Sequence, residues 1–175
     1  MKLLRYFLFA PPLIFLWSCE DNTVNEFTGS EMSIPMISGD VQGNVTNGIL
    51  TIRERTDGLA QIEIIVENII SNAQHPVHLH YGSLDDDGNI ATLLNDLTES
   101  NTIGRSVTIL QELANGEQLL YSDFLVWNGS IKVHFEASGP LENELIVSTN
   151  IGLNQSKNAT YIQGDKEITL CNSRF

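Results

Sequence analysis

The chain has 175 residues, a formal net charge of −13 at pH 7 and 42% hydrophobic residues. This length fits one domain, and this share of apolar residues is enough for a core of modest size. So acidic a chain is not expected to bind nucleic acid or to dock on anionic lipid through charge, because both of those surfaces are negative.

The N-terminal segment has the features of an export signal. Lys2 and Arg5 precede an apolar run over 7–17, which is too short to span a bilayer. The run ends in Leu-Trp-Ser-Cys19, which resembles a bacterial lipobox. We therefore predict a lipoprotein signal peptide over 1–18 and a lipid on the thiol of Cys19, which makes the membrane a partner. An ordinary signal peptide and a short membrane anchor are the alternatives.

The residues after the lipobox predict where the protein is held. Glu20-Asp21 resembles the acidic export signals that send some Gram-negative lipoproteins to the surface, so we predict the outer membrane or the cell surface. Residues 19–36 are polar and lack periodicity, so they are predicted to form an acidic flexible tether. A lipid on Cys19 leaves Cys171 as a lone thiol, and no disulfide is then expected.

Residues 37–175 are predicted to form one all-β domain, because strand patterns are short and turn signals frequent. The Asp57-Gly58 pair predicts a hairpin turn between the second and third strands. The predicted strands cover 39–48, 49–55, 59–70, 106–113, 144–149 and 161–170, with a strand or helical turn over 90–97 and a helical turn through Val126 whose predicted N-cap is Ser122. This pattern favours a single antiparallel β-sandwich or barrel.

The histidines lie in two of the strand patterns. Since alternate strand side chains point to opposite faces, His78 and His80 share one face of their strand. In Ile131–Phe135 the apolar residues alternate with His134, which is therefore expected on the polar, solvent side. Neutral imidazole is a favoured ligand of zinc and copper, so these three histidines predict a metal site. The alternative is that they are surface residues of a structural domain.

Other functional motifs are weak or absent from the sequence. No GxSxG pattern and no Gly-rich phosphate loop occur. The acidic loop Asp85-Asp86-Asp87 lacks the spacing and the flanking helices of an EF-hand, which favours a solvated turn over a calcium site.

Two segments resemble known families. His75-Pro-Val-His78-Leu-His80-Tyr-Gly is similar to the HxH strand of copper/zinc superoxide dismutases, and Lys-Val-His134 is similar to the segment with that family's last copper histidine. The same pair of strands occurs in the CHRD (chordin-type) domain of secreted and lipid-anchored bacterial proteins, to which residues 119–134 are more similar. Both resemblances imply a Greek-key β-sandwich.

The dismutase resemblance implies that His78, His80 and His134 are copper ligands and that His75 orients one of them. The resemblance is partial, because no histidine lies between His80 and His134 and the family's bridging and zinc-binding histidines are therefore missing. The CHRD resemblance is also incomplete, since Tyr81 stands where those domains usually carry a glycine.

Taken together, the sequence predicts a cell-envelope lipoprotein whose CHRD-like β-domain is a binding or structural module. The module is expected to hold one copper or zinc ion through His78, His80 and His134, and no catalytic residue is predicted. The alternative is an enzyme, a copper-only superoxide dismutase-like antioxidant. A third hypothesis is adhesion to another protein through exposed strand edges.

Overall fold

The computed structural model describes residues 25–69, 74–86 and 88–170, and only the backbone of Asp40. The predicted signal peptide, Cys19 and Cys171 lie outside these residues. The elements are β1 (Phe27–Ser38), β2 (Asp40–Val41), β3 (Asn44–Val45), β4 (Asn47–Arg55), β5 (Ala60–Glu67), β6 (His75–Tyr81), β7 (Ile90–Ser100), β8 (Ile103–Leu110), α1 (Tyr121–Phe124), β9 (Asn128–His134), β10 (Leu145–Gly152), a 3-10 turn (Gln155–Lys157) and α2 (Asn158–Ile162).

The strands form a closed antiparallel barrel in the order β1-β10-β9-β6-β7-β8-β5-β4, and β2 pairs with β3 in a separate small sheet. Strands β6, β7 and β8 follow one another, and the chain then returns through residues 111–127 so that β9 lies beside β6. That arrangement is a Greek key. The predicted all-β, antiparallel class is therefore confirmed.

Alternation along the strands fills the barrel with aliphatic side chains. On β4, Leu50 and Ile52 are fully buried, whereas Ile49, next to Leu50, is 53% exposed. Strands β6 and β9 contribute Val77 and Ile131 to the same core. Each such buried side chain stabilises the fold by about 1.5–3 kcal/mol relative to its exposed state.

The strand pairings define two ends of the barrel. We call the end of the barrel at which β1 begins, where Phe27 pairs with Arg55, the lower end. Since β1 and β10 are antiparallel, Gly152 at the close of β10 lies at this end too, where it pairs with Asn128. The upper end carries the close of β1 and the close of β9 at His134.

The barrel is closed by a short seam between β1 and β10. Only the pairs Ile37↔Ser148 and Ser38↔Val147 join these two strands. By contrast, the pairing of β1 with β4 runs almost the whole length of β1, with one bulge near its start.

One predicted boundary and one predicted strand are wrong. The tether was expected to run to residue 36, but β1 begins at Phe27, and Ile34 and Met36 are buried in the core. Among the polar residues that indicated a tether, those from Thr28 to Glu31 belong to this strand and are exposed. The strand predicted over 161–170 is also absent, because Tyr161 lies in α2 and the residues after it join no sheet.

The predicted helical turn near residue 122 exists as α1, but its N-terminus differs from the expected one. The helix begins at Tyr121, and the carboxylate of Asp123 accepts a hydrogen bond from the backbone N–H of Leu120 at 2.8 Å. The predicted cap by the hydroxyl of Ser122 is therefore not present.

Candidate metal site

The three candidate ligands lie on neighbouring strands and point out of the barrel. On β6, His78 pairs with Lys132 of β9, and His80 pairs with Ser130. Residues that alternate with them fill the core, so the histidines take the outer face. We call this surface of β6, β9 and β10 the histidine face. It carries His78, His80, Ser130, Lys132, His134, Ser148 and Asn150.

The ring of His78 lies between the other two imidazoles. Its centroid is 4.6 Å from that of His134 and 5.9 Å from that of His80. Imidazoles that share one zinc or copper ion through bonds of about 2.0–2.1 Å have ring centroids roughly 5 Å apart. The predicted meeting of residues from two separate strands is thus present in the fold.

Backbone carbonyls fix the tautomers of two of these rings. Nδ1 of His80 lies 2.9 Å from the carbonyl oxygen of Gly88, and Nδ1 of His134 lies 2.9 Å from that of Glu142. A carbonyl oxygen only accepts, so in each ring Nδ1 must be the protonated nitrogen. Nε2 then keeps its lone pair, which is the arrangement of histidines that bind a metal.

The surroundings keep the imidazoles neutral. Burial, and then the neighbouring His134, His80 and Lys132, lower the pKa of His78 to about 3. Burial also lowers the pKa of His134, helped by Lys132 and opposed by the hydrogen bond to Glu142. Neutral imidazole is the form that binds a metal, so these shifts favour a ligand role at neutral pH.

The histidine face is mostly buried, with His78 half-buried, which corrects the prediction that it lies on the solvent side. His80 is 2% exposed and His134 is 4% exposed. The segment 158–170, which we call the C-terminal strap, contacts this face. Its Thr169 accepts a hydrogen bond from Nζ of Lys132 through the backbone oxygen. The sequence did not reveal this contact, because residues 161–170 of the strap were predicted to form a strand.

Asn158 fixes the start of the strap to β10. Its Oδ1 accepts a hydrogen bond from the backbone N–H of Asn150 at 2.9 Å, and its Nδ2 donates to the hydroxyl of Thr149 at 2.9 Å. A small apolar cluster then seals the strap over the barrel's outer face. Its members are Ile37, Leu84, Tyr161 and Ile168.

The acidic loop after β6 holds the rest of the strap. Asp85 accepts hydrogen bonds from the hydroxyl of Tyr161 at 2.6 Å and from Nζ of Lys166 at 2.7 Å. These bonds, with one from Ser83, lower the pKa of the Asp85 carboxyl, with the Lys166 bond contributing most. Asp85 therefore has a structural role that the sequence did not indicate. Asp87 of the same loop lies outside the described residues.

Several buried polar atoms of the histidine face have no hydrogen-bond partner. They include Oγ of Ser130, Oγ of Ser148 and Nε2 of His134. Nearly all buried polar atoms in folded proteins are hydrogen-bonded, so such a group of exceptions on one surface calls for a ligand or water. Nε2 of His134 is also the atom that its tautomer makes a metal donor.

The described side chains do not form a complete set of metal ligands in this structure. Within 25–69, 74–86 and 88–170, no group of three or more His, Cys, Asp or Glu side chains is arranged so that it could hold a metal ion. His80 is the outlying ring, at the longer of the two ring separations. The donor types fit copper or zinc, but the arrangement requires at least one ring to move before all three histidines share an ion.

His75 lies apart from the other histidines. Its ring is fully buried, and Nδ1 lies 2.6 Å from the backbone carbonyl oxygen of Phe135, while Nε2 has no hydrogen-bond partner. It therefore orients no other imidazole through a hydrogen bond, contrary to the role that the resemblance implied. Instead it holds the backbone next to His134.

Among the described elements, no helix combines the length and the apolar character needed to cross a bilayer. Comparison with family models, with curated proteins and with solved structures found no match to this chain.

Proposed function

We propose that the chain is a lipoprotein of the cell envelope, held through a lipid on Cys19 at the outer membrane or the cell surface. Its β-barrel acts as a binding or structural module that takes one copper or zinc ion through His78, His80 and His134. The observation that carries this proposal is the close approach of His78 and His134 from two strands, with Nε2 of His134 buried and lacking a hydrogen-bond partner.

The proposal requires one local change. The His80 ring has to move toward the other two, which involves a rotamer change of about 1 kcal/mol and strain on its hydrogen bond to Gly88. Structural zinc sites supply binding free energies of about 10–16 kcal/mol, which is more than enough to offset that cost. The resemblance to CHRD and dismutase-like domains is supported by the Greek-key order and by the strands on which these histidines lie.

A binding module is favoured over a dismutase-like enzyme because the site is largely buried. His80 and His134 are almost wholly buried, and the C-terminal strap is bonded to Lys132 of the same face. A redox enzyme needs an open coordination position that its substrate can reach. Superoxide consumption by the copper-loaded protein at a rate near the diffusion limit would reverse this preference.

The metal site is tested by calorimetric titration of the purified metal-free chain with Cu²⁺ and with Zn²⁺, in a Cys171→Ser background. We expect one equivalent to bind, and His78→Gln or His134→Gln to weaken binding by about 10–100-fold or more, since each removes a ligand. His75→Gln is the matched control, because it replaces a buried histidine outside the site. Equal binding by His78→Gln and the parent chain would refute the site.

A further inference from the structure

An exposed apolar patch lies at the lower end of the barrel. Leu125 is 52% exposed, Val126 is 63% exposed and Leu153 is 65% exposed. The backbone N–H of Leu153 donates to the carbonyl oxygen of Trp127 at 2.9 Å, and the Trp127 ring lies 5.2 Å from that of Tyr81. These residues are therefore contiguous. We call them the end patch, which consists of Tyr81, Leu125, Val126, Trp127 and Leu153.

The end patch differs from the rest of this acidic surface in its lack of charge. No charged residue occurs over 124–131 or over 150–156, the two segments that supply most of it. An uncharged surface of aliphatic side chains flanked by tryptophan and tyrosine matches the boundary between lipid headgroups and acyl chains, where aromatic rings are enriched. An anionic surface would be a poor partner, because the chain carries a net charge of −13.

The start of β1 places this patch near the proposed anchor. Asn25 is the first described residue, six positions after Cys19, and six extended residues reach at most about 20 Å. Phe27 opens β1 at the lower end, the same end that carries Gly152 and the turn to Leu153. A lipid on Cys19 would thus hold the lower end, and not the upper one, close to the bilayer.

We propose that the end patch rests on the surface of a zwitterionic membrane, so that the lipid anchor and the patch together fix the orientation of the barrel. This inference rests on the proposed lipidation of Cys19. A single acyl signal binds membranes only marginally, and a second apolar contact makes attachment stable. With the lower end against lipid, the upper end points away from the membrane.

The test uses the full chain, produced in bacteria and reconstituted in phosphatidylcholine vesicles with or without bromine on the acyl chains. Removal of the predicted signal peptide takes away Trp17 and leaves Trp127 as the single tryptophan, because the chain has 2. We expect brominated lipid to reduce its fluorescence about two-fold, as for an aromatic ring at the interface. The matched control adds Trp127→Phe and Ile103→Trp, which moves the probe to an exposed position at the upper end. This control is expected to be unquenched.

Mass spectrometry of the same sample reports whether Cys19 carries lipid, so the two proposals can fail separately. Lipidated protein with an unquenched Trp127, or with equal quenching of both probes, would overturn the proposed contact of the end patch with the membrane. The proposed lipid anchor would still stand. Protein without lipid on Cys19 would overturn both. A concentration-dependent blue shift of Trp127 without lipid, insensitive to bromine, would instead assign the patch to a second copy of the chain.

Discussion

Glu63 joins three strands of the barrel through two ion pairs. Its side chain is only 9% exposed, and its carboxylate oxygens lie 2.6 Å from Nη1 of Arg53 and 2.7 Å from Nη2 of Arg105. Burial raises the pKa of Glu63, but the bonds to Arg105 and Arg53 outweigh burial and lower it. A carboxyl whose pKa is lower in the folded state stabilises the fold above its unfolded pKa, and this contribution is lost as the pH falls.

Glu63→Gln should therefore lower the free energy of unfolding by about 1 kcal/mol at pH 7, a value kept small because both arginines are partly solvated. Urea denaturation measures the effect. At pH 3 the difference between the variant and the parent chain should shrink, since pH 3 lies below the unfolded pKa of 4.5 and the unfolded chain then binds a proton at Glu63. A difference that stays constant from pH 7 to pH 3 would contradict this account.

The sequence predicted which histidine side chains share a face, because alternation along a strand is a local property. It could not predict that His134 is buried, since this depends on how the folded chain surrounds the ring, for example through the loop that carries Glu142. The sequence also could not predict which ring nitrogen of His80 and of His134 is protonated. The protonated nitrogen depends on carbonyl groups at Gly88 and Glu142, which only the folded backbone brings close.

At the scale of elements, the C-terminal strap depends on a few polar contacts and one small apolar cluster. Asp85 binds both Tyr161 and Lys166, and its backbone oxygen accepts a hydrogen bond from the hydroxyl of Thr169 at 3.1 Å. Burial and the bond to Asp85 raise the pKa of Tyr161 to about 12, so its phenol still donates in alkaline solution. Segments with few buried contacts open at a lower free energy than the core.

Asp85→Ala should loosen the strap and leave the barrel intact, because the lost bonds join the loop after β6 to the strap and to its own Ser83, and none involves a barrel strand. Hydrogen exchange followed by mass spectrometry is expected to show exchange over 158–170 that is about ten times faster or more, with β5 and β8 unchanged. The exposed Asp165→Ala is the matched control. Equal protection of 158–170 in Asp85→Ala and in the parent chain would show that other contacts hold the strap.

The elements that the sequence misassigned share a cause. In β1, buried Ile34 and Met36 alternate with exposed Ser33 and Pro35, a true strand pattern that polar composition before Phe27 concealed. In the strap, the apolar residues pack on the outside of the barrel without pairing to any strand. A strand pattern indicates which side chains are buried, and it does not say whether the backbone bonds belong to a sheet.

At the scale of the whole molecule, the excess of negative charge opposes the compact state. The chain has 22 acidic residues and 9 basic ones. Repulsion between like charges destabilises folding, and dissolved salt screens it over a Debye length of about 10 Å at 0.1 M. Ion pairs such as those of Glu63 are screened by the same salt, but they are few in comparison.

Raising NaCl from about 0.02 to 0.2 M should therefore raise the urea concentration at which half of the protein unfolds. Sodium chloride is suitable because it screens charge without the strong exclusion from protein surfaces that sulfate shows. The same titration on Glu63→Gln is the control for screening of its ion pairs, and the variant should gain slightly more. A midpoint that falls with salt would mean that attractive pairs dominate.

The sequence predicted the fold class because short strands separated by turns are compatible with few architectures other than an antiparallel sandwich or barrel. The strand order did not, since it depends on which strands become neighbours after the connections over 68–74 and 111–127 have formed. Gly39 illustrates the difficulty, because a Cβ there would lie 1.6 Å from the backbone oxygen of Leu145. The need for glycine at position 39 depends on a residue more than a hundred positions away, so no pattern near Gly39 could indicate this contact.

The seam of the barrel has a consequence for how the molecule opens. Strand β1 is joined to β10 by two residue pairs, Ile37↔Ser148 and Ser38↔Val147, while its ladder to β4 extends down to Phe27. Separating β1 from β10 breaks few backbone bonds, so the cylinder can split along this line into a curved sheet without losing a strand. Two strand edges would then stand open, and such edges are where another polypeptide can add itself to a sheet.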